Sequence, residues 1–193
     1  MTYKIDENIK GLVFDFDGTI TDSMPVHFIS WQKAFEAHDA VFDEEFFYSK
    51  AGYSLTAVVE AFNKENNRSL DPRSVADLKN KLHYEYIPRI DLITPVFEVI
   101  ESYHNILPMA IATGSNRDIT EYTIDKLSIG KYFEGIVSAD DVQNSKPHPE
   151  VFLKAAQLIG VAPENCEVFE DGDPGLLGAV SAGMKATDIR KWL

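Results

Sequence analysis

Hydrophobic positions recur with two different periods along this chain, and the change of period marks its organisation. Near the start, Leu12, Val13 and Phe14 form an unbroken apolar run between Gly11 and the acidic Asp15. A strand covered on both faces reads this way, because neither face has to stay polar. From about residue 22 to residue 88 the spacing becomes helical. Val26 to Ala37 predicts a helix with Phe28, Trp31 and Phe35 on one face and Pro25 suited to its first turn. Leu55 to Lys64 predicts a second, with Leu55, Val58, Val59 and Phe62 in register. Pro72 to Tyr86 predicts a third, opened by Asp71 as N-cap. No strand pattern interrupts this span. Its aromatic spacing reads as core packing rather than a cofactor site.

After Pro88, short strands and helices alternate. Strands are expected at Met109–Ala112, Gly135–Val137, Glu167–Phe169 and, more weakly, Met184–Thr187. Helices are expected at Pro95–Tyr103, Ile119–Leu127, Glu150–Ile159 and Pro174–Ala182, the last two closed by Gly160 and Gly183. Alternation at this spacing predicts an α/β fold with a mostly parallel sheet and helices on both faces. The expected domains are an α/β core from 1–21 and 89–193, and an inserted helical domain at 22–88.

In such sheets, ligands bind beyond the carboxyl ends of the strands. The unusual polar residues fall there. Asp15 and Asp17 follow the first strand, Thr113 and Ser115 follow the second, Lys146 lies in the loop after the third, and Glu170 and Asp171 follow the fourth. Two carboxylates two residues apart on a strand end share a face and repel unless a cation or proton intervenes. Mg²⁺ suits such oxygen donors, with Asp171 as a second carboxylate and Glu170 as an outer partner. Lys146 can neutralise an anionic phosphoryl group, and Thr113 can donate a hydroxyl hydrogen bond to it. Asp15 is then the candidate nucleophile and Asp17 the candidate general acid and base. Taken singly, a lysine is more often a solvated charge; the bland alternative for the Asp15 and Asp17 pair, a capped turn before a helix, would leave the remaining polar set a coincidence.

Composition narrows the classes. The 193 residues carry 31 acidic and 18 basic side chains, a formal net charge of -13. Such a surface repels nucleic-acid phosphates and anionic lipid, so neither partner is expected. The single cysteine, Cys166, excludes an internal disulfide and reads as a small buried hydrophobe. The segment from Met1 to Lys10 has no apolar signal-peptide core, and no run approaches the length of a membrane span. A cytoplasmic monomer is expected. Zinc-spaced Cys/His clusters, a GxxxxGK[ST] loop and a GxGxxG turn are all absent.

Four stretches in this order resemble the haloacid dehalogenase-like hydrolase superfamily. They are Asp15-Phe16-Asp17-Gly18-Thr19, Thr113 after Ile111-Ala112, Lys146 in Ser145-Lys146-Pro147-His148-Pro149, and Glu170-Asp171 after Val168-Phe169. The resemblance is closest to the branch of β-phosphoglucomutase-like enzymes and sugar-phosphate phosphatases. It implies a Rossmann-like core with a small helical cap that moves on joints near Ile20 to Met24 and Pro88 to Thr94. It implies Mg²⁺ held by Asp15, the main-chain carbonyl of Asp17, and Asp171, assisted by Glu170. It implies Thr113 and Lys146 on the transferring phosphoryl group. His27 falls where phosphoglucomutase-like members place a histidine that couples substrate engagement to cap closure. Ser115 and Asn116 match a loop that touches the substrate.

Two departures bear on function. The mutases of this branch carry an arginine for a second phosphate after the first cap helix, whereas this chain reads Ala51-Gly52-Tyr53-Ser54-Leu55. Arg117 stands where they tend to carry an asparagine. Lys79 or Lys81 is a candidate to reach the site from the third cap helix. The expected activity is therefore hydrolysis of a small sugar phosphate, similar to the fructose-1-phosphatase-like members. A phosphoglucomutase and a non-enzymatic binding protein of the same fold are the alternatives.

Overall fold

The apolar runs pair into one five-stranded, all-parallel sheet with spatial order β3-β2-β1-β4-β5. The computed structural model describes residues 3–50 and 53–193. Along the chain the elements are β1 (Gly11–Phe14), α1 (Met24–Glu36), α2 (Glu44–Ser49), α3 (Leu55–Asn66), α4 (Pro72–Tyr86) and α5 (Thr94–Tyr103). There follow β2 (Met109–Ala112), α6 (Arg117–Leu127), β3 (Gly135–Val137), α7 (Glu150–Leu158), β4 (Cys166–Glu170), α8 (Asp173–Ser181) and β5 (Lys185–Asp188).

The chain divides into two compact units, one of residues Met1–Asp22 with Asp91–Leu193 and the other of Ser23–Ile90. In the first, successive strand residues point to opposite faces. Leu12, Phe14, Ile111 and Phe169 pack with Val96, Val99 and Ile100 of α5 and Ile124 of α6. Val13, Ala110, Ala112 and Val168 pack on the other face with Phe152 and Ala155 of α7 and Ala179 of α8. Both faces are thus covered by apolar helix surface, as the continuous run in β1 requires. Cys166 lies fully buried in the second layer, and burial pushes its thiol up to about 11, so it is a core residue and no nucleophile.

The order 3-2-1-4-5 reverses direction at β1. The chain leaves β1 for β2 and β3 on one side and returns to β4 and β5 on the other. The crevice at the carboxyl ends of β1 and β4 is therefore the switch point where parallel sheets bind ligands.

In the helical unit, Trp31, Phe35, Phe42 and Phe62 form an aromatic core, with Phe35 and Phe42 stacked at 4.6 Å between ring centroids. Asp71 caps α4 by accepting from Arg73 N, as its position before Pro72 predicts. The helix α2 was not legible in the spacing. Its six residues are fewer than two turns, so its definition comes from the cap: Asp43 accepts from Phe46 N at 2.7 Å.

Candidate active site

At the carboxyl end of β1, Asp15 is 6% exposed, and its amide donates to Phe169 O at 3.0 Å. Lys146 reaches it from the loop after β3. Its Nζ lies 2.5 Å from Asp15 Oδ1 and 2.9 Å from Glu170 Oε1. The second oxygen of Glu170 accepts from Gly172 N. Glu170 lies directly over Gly175 in α8, where a Cβ would overlap its carboxylate and come 2.8 Å from its Cγ. That close approach is why a glycine stands in a helix at this position.

Asp171 accepts from Thr19 Oγ1 at 2.7 Å. Beside it, Gly18 has φ +87°, and a Cβ there would come 2.9 Å from Asp171 Cγ. The turn after β1 therefore needs glycine both for its backbone and for the nearness of this carboxylate.

Asp15, Glu170 and Asp171 each offer an oxygen, all within 4.8 Å of one another. Lys146 opposes them, paired with Asp15 and Glu170. Burial, and then the neighbouring Glu170 and Asp171 charges, push Asp15 well above the usual carboxylate range despite the lysine. Asp171 is likewise raised, by burial first and by Glu170, against the hydrogen bond from Thr19. Burial would pull Lys146 down, but the Asp15 and Glu170 carboxylates more than reverse this and hold it cationic. The cluster is short of positive charge. Its all-oxygen donor set fits a hard divalent cation such as Mg²⁺.

A second set of contacts lies at the ends of β2 and β3. Thr113 is buried, and its amide donates to Val137 O at 2.9 Å. Its Oγ1 accepts from Ser115 N at 3.0 Å. Ser115 Oγ donates to Asp17 Oδ2 at 2.5 Å, and Ser115 O accepts from Ala139 N at 3.0 Å. Exposed Asn116 donates through Nδ2 to Asp140 Oδ1 at 3.0 Å, while Arg117 N donates to Asp140 Oδ2 at 2.7 Å. The Arg117 guanidinium donates to Asp141 Oδ2 at 2.6 Å and to Ile136 O at 3.1 Å.

Asp141 also closes a capping box with Ser138. Burial would raise Asp141, but the Ser138 backbone and side-chain bonds and the Arg117 guanidinium hold it below its ordinary value. The loop bearing Lys146 is braced by Glu150. Its carboxylate accepts from Gln143 N and Asn144 N, both at 3.1 Å, and pairs with Lys154 at 3.0 Å. The Lys154 ammonium first, then these amides, lower Glu150 to about 2.

The sequence candidates thus fall into three groups. Asp15, Lys146, Glu170 and Asp171 meet directly. Asp17, Thr113 and Ser115 are linked through the Ser115 bonds, with Asn116 turned to Asp140. His27 belongs to the helical unit, where its Nδ1 lies 3.1 Å from the Nζ of Lys79 and its ring 4.2 Å from that of His83. Lys79 is 2% exposed, whereas Lys81 is exposed. Ala51 and Gly52, where the mutase arginine is missing, lie outside the described residues. Sequence reasoning passed over the bracing roles of Asp140, Asp141 and Glu150. The Ser138-x-x-Asp141 spacing is a capping-box signature and was the available signal for one of them.

The haloacid dehalogenase-like hydrolase family matches residues 12–189 of this chain. The chain is 35% identical to the fructose-1-phosphate phosphatase of Escherichia coli (strain K12), covering 95% of this chain and 98% of that protein. It is 25% identical to a phosphorylated carbohydrates phosphatase of Thermotoga maritima, covering 92% of this chain and 83% of that protein. Among solved structures, the β-phosphoglucomutase of Clostridium difficile superposes with a TM-score of 0.82 at 25% identity, covering 93% of this chain and 84% of that one. A family match that runs from residue 12 to residue 189, and a relative aligned almost end to end, establish that this chain belongs to the haloacid dehalogenase-like hydrolase family.

Proposed function

We propose that this hydrolase is a Mg²⁺-dependent phosphatase of small sugar phosphates, with fructose 1-phosphate as the representative substrate, acting through a phosphoryl group carried on Asp15. One observation supports this above the others: Lys146 pairs at once with Asp15 and Glu170 in the β1/β4 crevice, with Asp171 beside them. Asp15, Asp171 and the Asp17 carbonyl would hold the cation, with Glu170 assisting. A bound Mg²⁺ supplies charge neutralisation to the phosphoryl oxygens.

The chain's own residues carry the steps. A carboxylate oxygen of Asp15 attacks phosphorus, and the bond from phosphorus to the sugar oxygen breaks. Asp17, protonated, gives its proton to that oxygen, and the sugar leaves. Asp17, now a carboxylate, takes a proton from water as the water oxygen attacks phosphorus. The bond to Asp15 breaks, releasing phosphate and restoring the free carboxylate. Lys146 neutralises the phosphoryl oxygens throughout, and Thr113 orients them through its hydroxyl. The helical unit Ser23–Ile90 is read as a cap that selects the sugar, with His27 and Lys79 as its polar contribution. A cytoplasmic location fits this chemistry, and among the described residues no helix is long and apolar enough to cross a membrane.

The likeness to a β-phosphoglucomutase structure keeps one rival reading, in which the phosphoryl group returns to another sugar hydroxyl instead of to water. The purified protein assayed on a panel of hexose and pentose phosphates, scoring free phosphate and isomerised sugar separately, decides between them. Free phosphate from ketose phosphates such as fructose 1-phosphate, stopped by EDTA and restored by Mg²⁺, is the expected outcome. Isomerised glucose phosphate as the main product, or turnover that survives full chelation, contradicts the reading.

A further inference from the structure

Ser115 matches a loop position expected to touch substrate, yet all three of its polar groups are engaged within the α/β unit. Its hydroxyl donates to Asp17 Oδ2 at 2.5 Å, its amide donates to Thr113 Oγ1 at 3.0 Å, and its carbonyl accepts from Ala139 N at 3.0 Å. The loop on either side is fixed as well. Asp140 receives both the Asn116 side chain and the Arg117 amide, and Asp141 receives the Arg117 guanidinium. A hydroxyl has one proton to give. While it is given to Asp17, it is not available to a phosphate or sugar oxygen.

We propose that Ser115 is a positioning residue for Asp17: its hydroxyl holds one carboxylate oxygen so that the other faces the scissile bond and carries the transferred proton. The inference rests on the assignment of Asp17 as acid and base in the reading above. Asp17 lies in the turn between the end of β1 and a glycine of positive φ, and Ser115 reaches it from a separate loop. The loop from Thr113 to Arg117, itself held by the Asp140 and Asp141 bonds, adds a contact to Asp17 from outside that turn. A carboxyl group that must first donate and then accept a proton at one place benefits from having its orientation set in advance.

The test compares Ser115→Ala, Ser115→Thr and Asp17→Asn on two substrates. One is fructose 1-phosphate, whose alkoxide leaves poorly without a proton. The other is p-nitrophenyl phosphate, whose leaving group needs little protonation. A general acid contributes about 10²–10⁴-fold, and loss of its orientation alone should remove about tenfold of this. For Ser115→Ala, kcat/KM on fructose 1-phosphate should fall by about that factor with KM nearly unchanged, and by clearly less on the aryl phosphate. Ser115→Thr, which keeps the hydroxyl, should recover most of the loss, and all variants should melt near the parent. A raised KM with unchanged kcat would overturn the proposal in favour of substrate contact. Equal losses on both substrates, or no loss at all, would overturn it too. Asp17→Asn separates the two levels. If that variant turns over sugar phosphate normally, the acid/base assignment itself fails. If it is inactive while Ser115→Ala behaves as the parent, only the positioning role fails.

Discussion

Replacing Gly175 with alanine should reverse the usual sign of a glycine-to-alanine change in a helix. Within α8 such a change ordinarily stabilises by about 0.5–1 kcal/mol, because glycine loses more freedom on folding. Here the added methyl would overlap the Glu170 carboxylate and lie 2.8 Å from its Cγ. The side chain must withdraw, and a shift of about 1 Å takes it out of hydrogen-bond range of its partners. Those partners are Lys146, at 2.9 Å, and Gly172 N.

A hydrogen bond to a charged group contributes about 1.5–3 kcal/mol, and losing one exceeds the helix gain. At about 1.4 kcal/mol per factor of ten, kcat/KM should fall about 10- to 100-fold if Lys146 loses its second anchor. The assay pairs thermal unfolding with phosphatase kinetics across a Mg²⁺ titration. The expected result is a lower Tm, reduced kcat/KM and a higher half-saturating Mg²⁺. A variant that melts higher than the parent, with unchanged kinetics, would refute the claim that Glu170 fills this space to orient the lysine and the metal ligands.

Other consequences follow from the same contacts. Thr19→Val removes the hydroxyl that holds Asp171, so half-saturating Mg²⁺ should rise about tenfold or more, the usual effect of losing an outer-shell partner, read by isothermal titration of the metal. Glu150→Ala frees the Gln143 and Asn144 amides and loosens the loop of Lys146; a displacement near 1 Å should lower kcat/KM about tenfold or more in steady-state kinetics. Asp141 has a folded pKa below its ordinary value, so it stabilises the native state above the unfolded pKa and ceases to as pH falls through the folded one. The Tm gap between the parent and Asp141→Asn should therefore be full near pH 6 and close as acid goes below about 4.

The strand positions and the order of the βα units were legible because a sheet covered on both faces writes itself as unbroken apolar runs such as Leu12 to Phe14. Helices longer than two turns were legible through apolar spacing and caps, as with Asp71 before Pro72. The short α2 was not, since six residues give no period to read. At the site, the acids and Lys146 could be foreseen because strand ends in parallel sheets gather at one edge. Their separate partners could not. Whether Ser115 faces substrate or Asp17 depends on the turn after β1 and the loop after β2, which meet only in the folded chain. The pairing of Asn116 and Arg117 with Asp140 and Asp141 spans more than twenty residues, and no spacing rule encodes it. The need for glycine at position 175 depends on Glu170, which comes to lie over it only in the folded chain.

The central claim is that a phosphoryl group passes through the carboxylate of Asp15. It is tested most directly by quenching the enzyme during turnover of fructose 1-phosphate with Mg²⁺, reducing the trapped acyl phosphate with borohydride, and sequencing the peptides by mass spectrometry. Homoserine at position 15, absent without substrate, is the predicted result. Modification at another residue, or an unmodified residue 15 under conditions where an acyl phosphate control is reduced, would contradict the account.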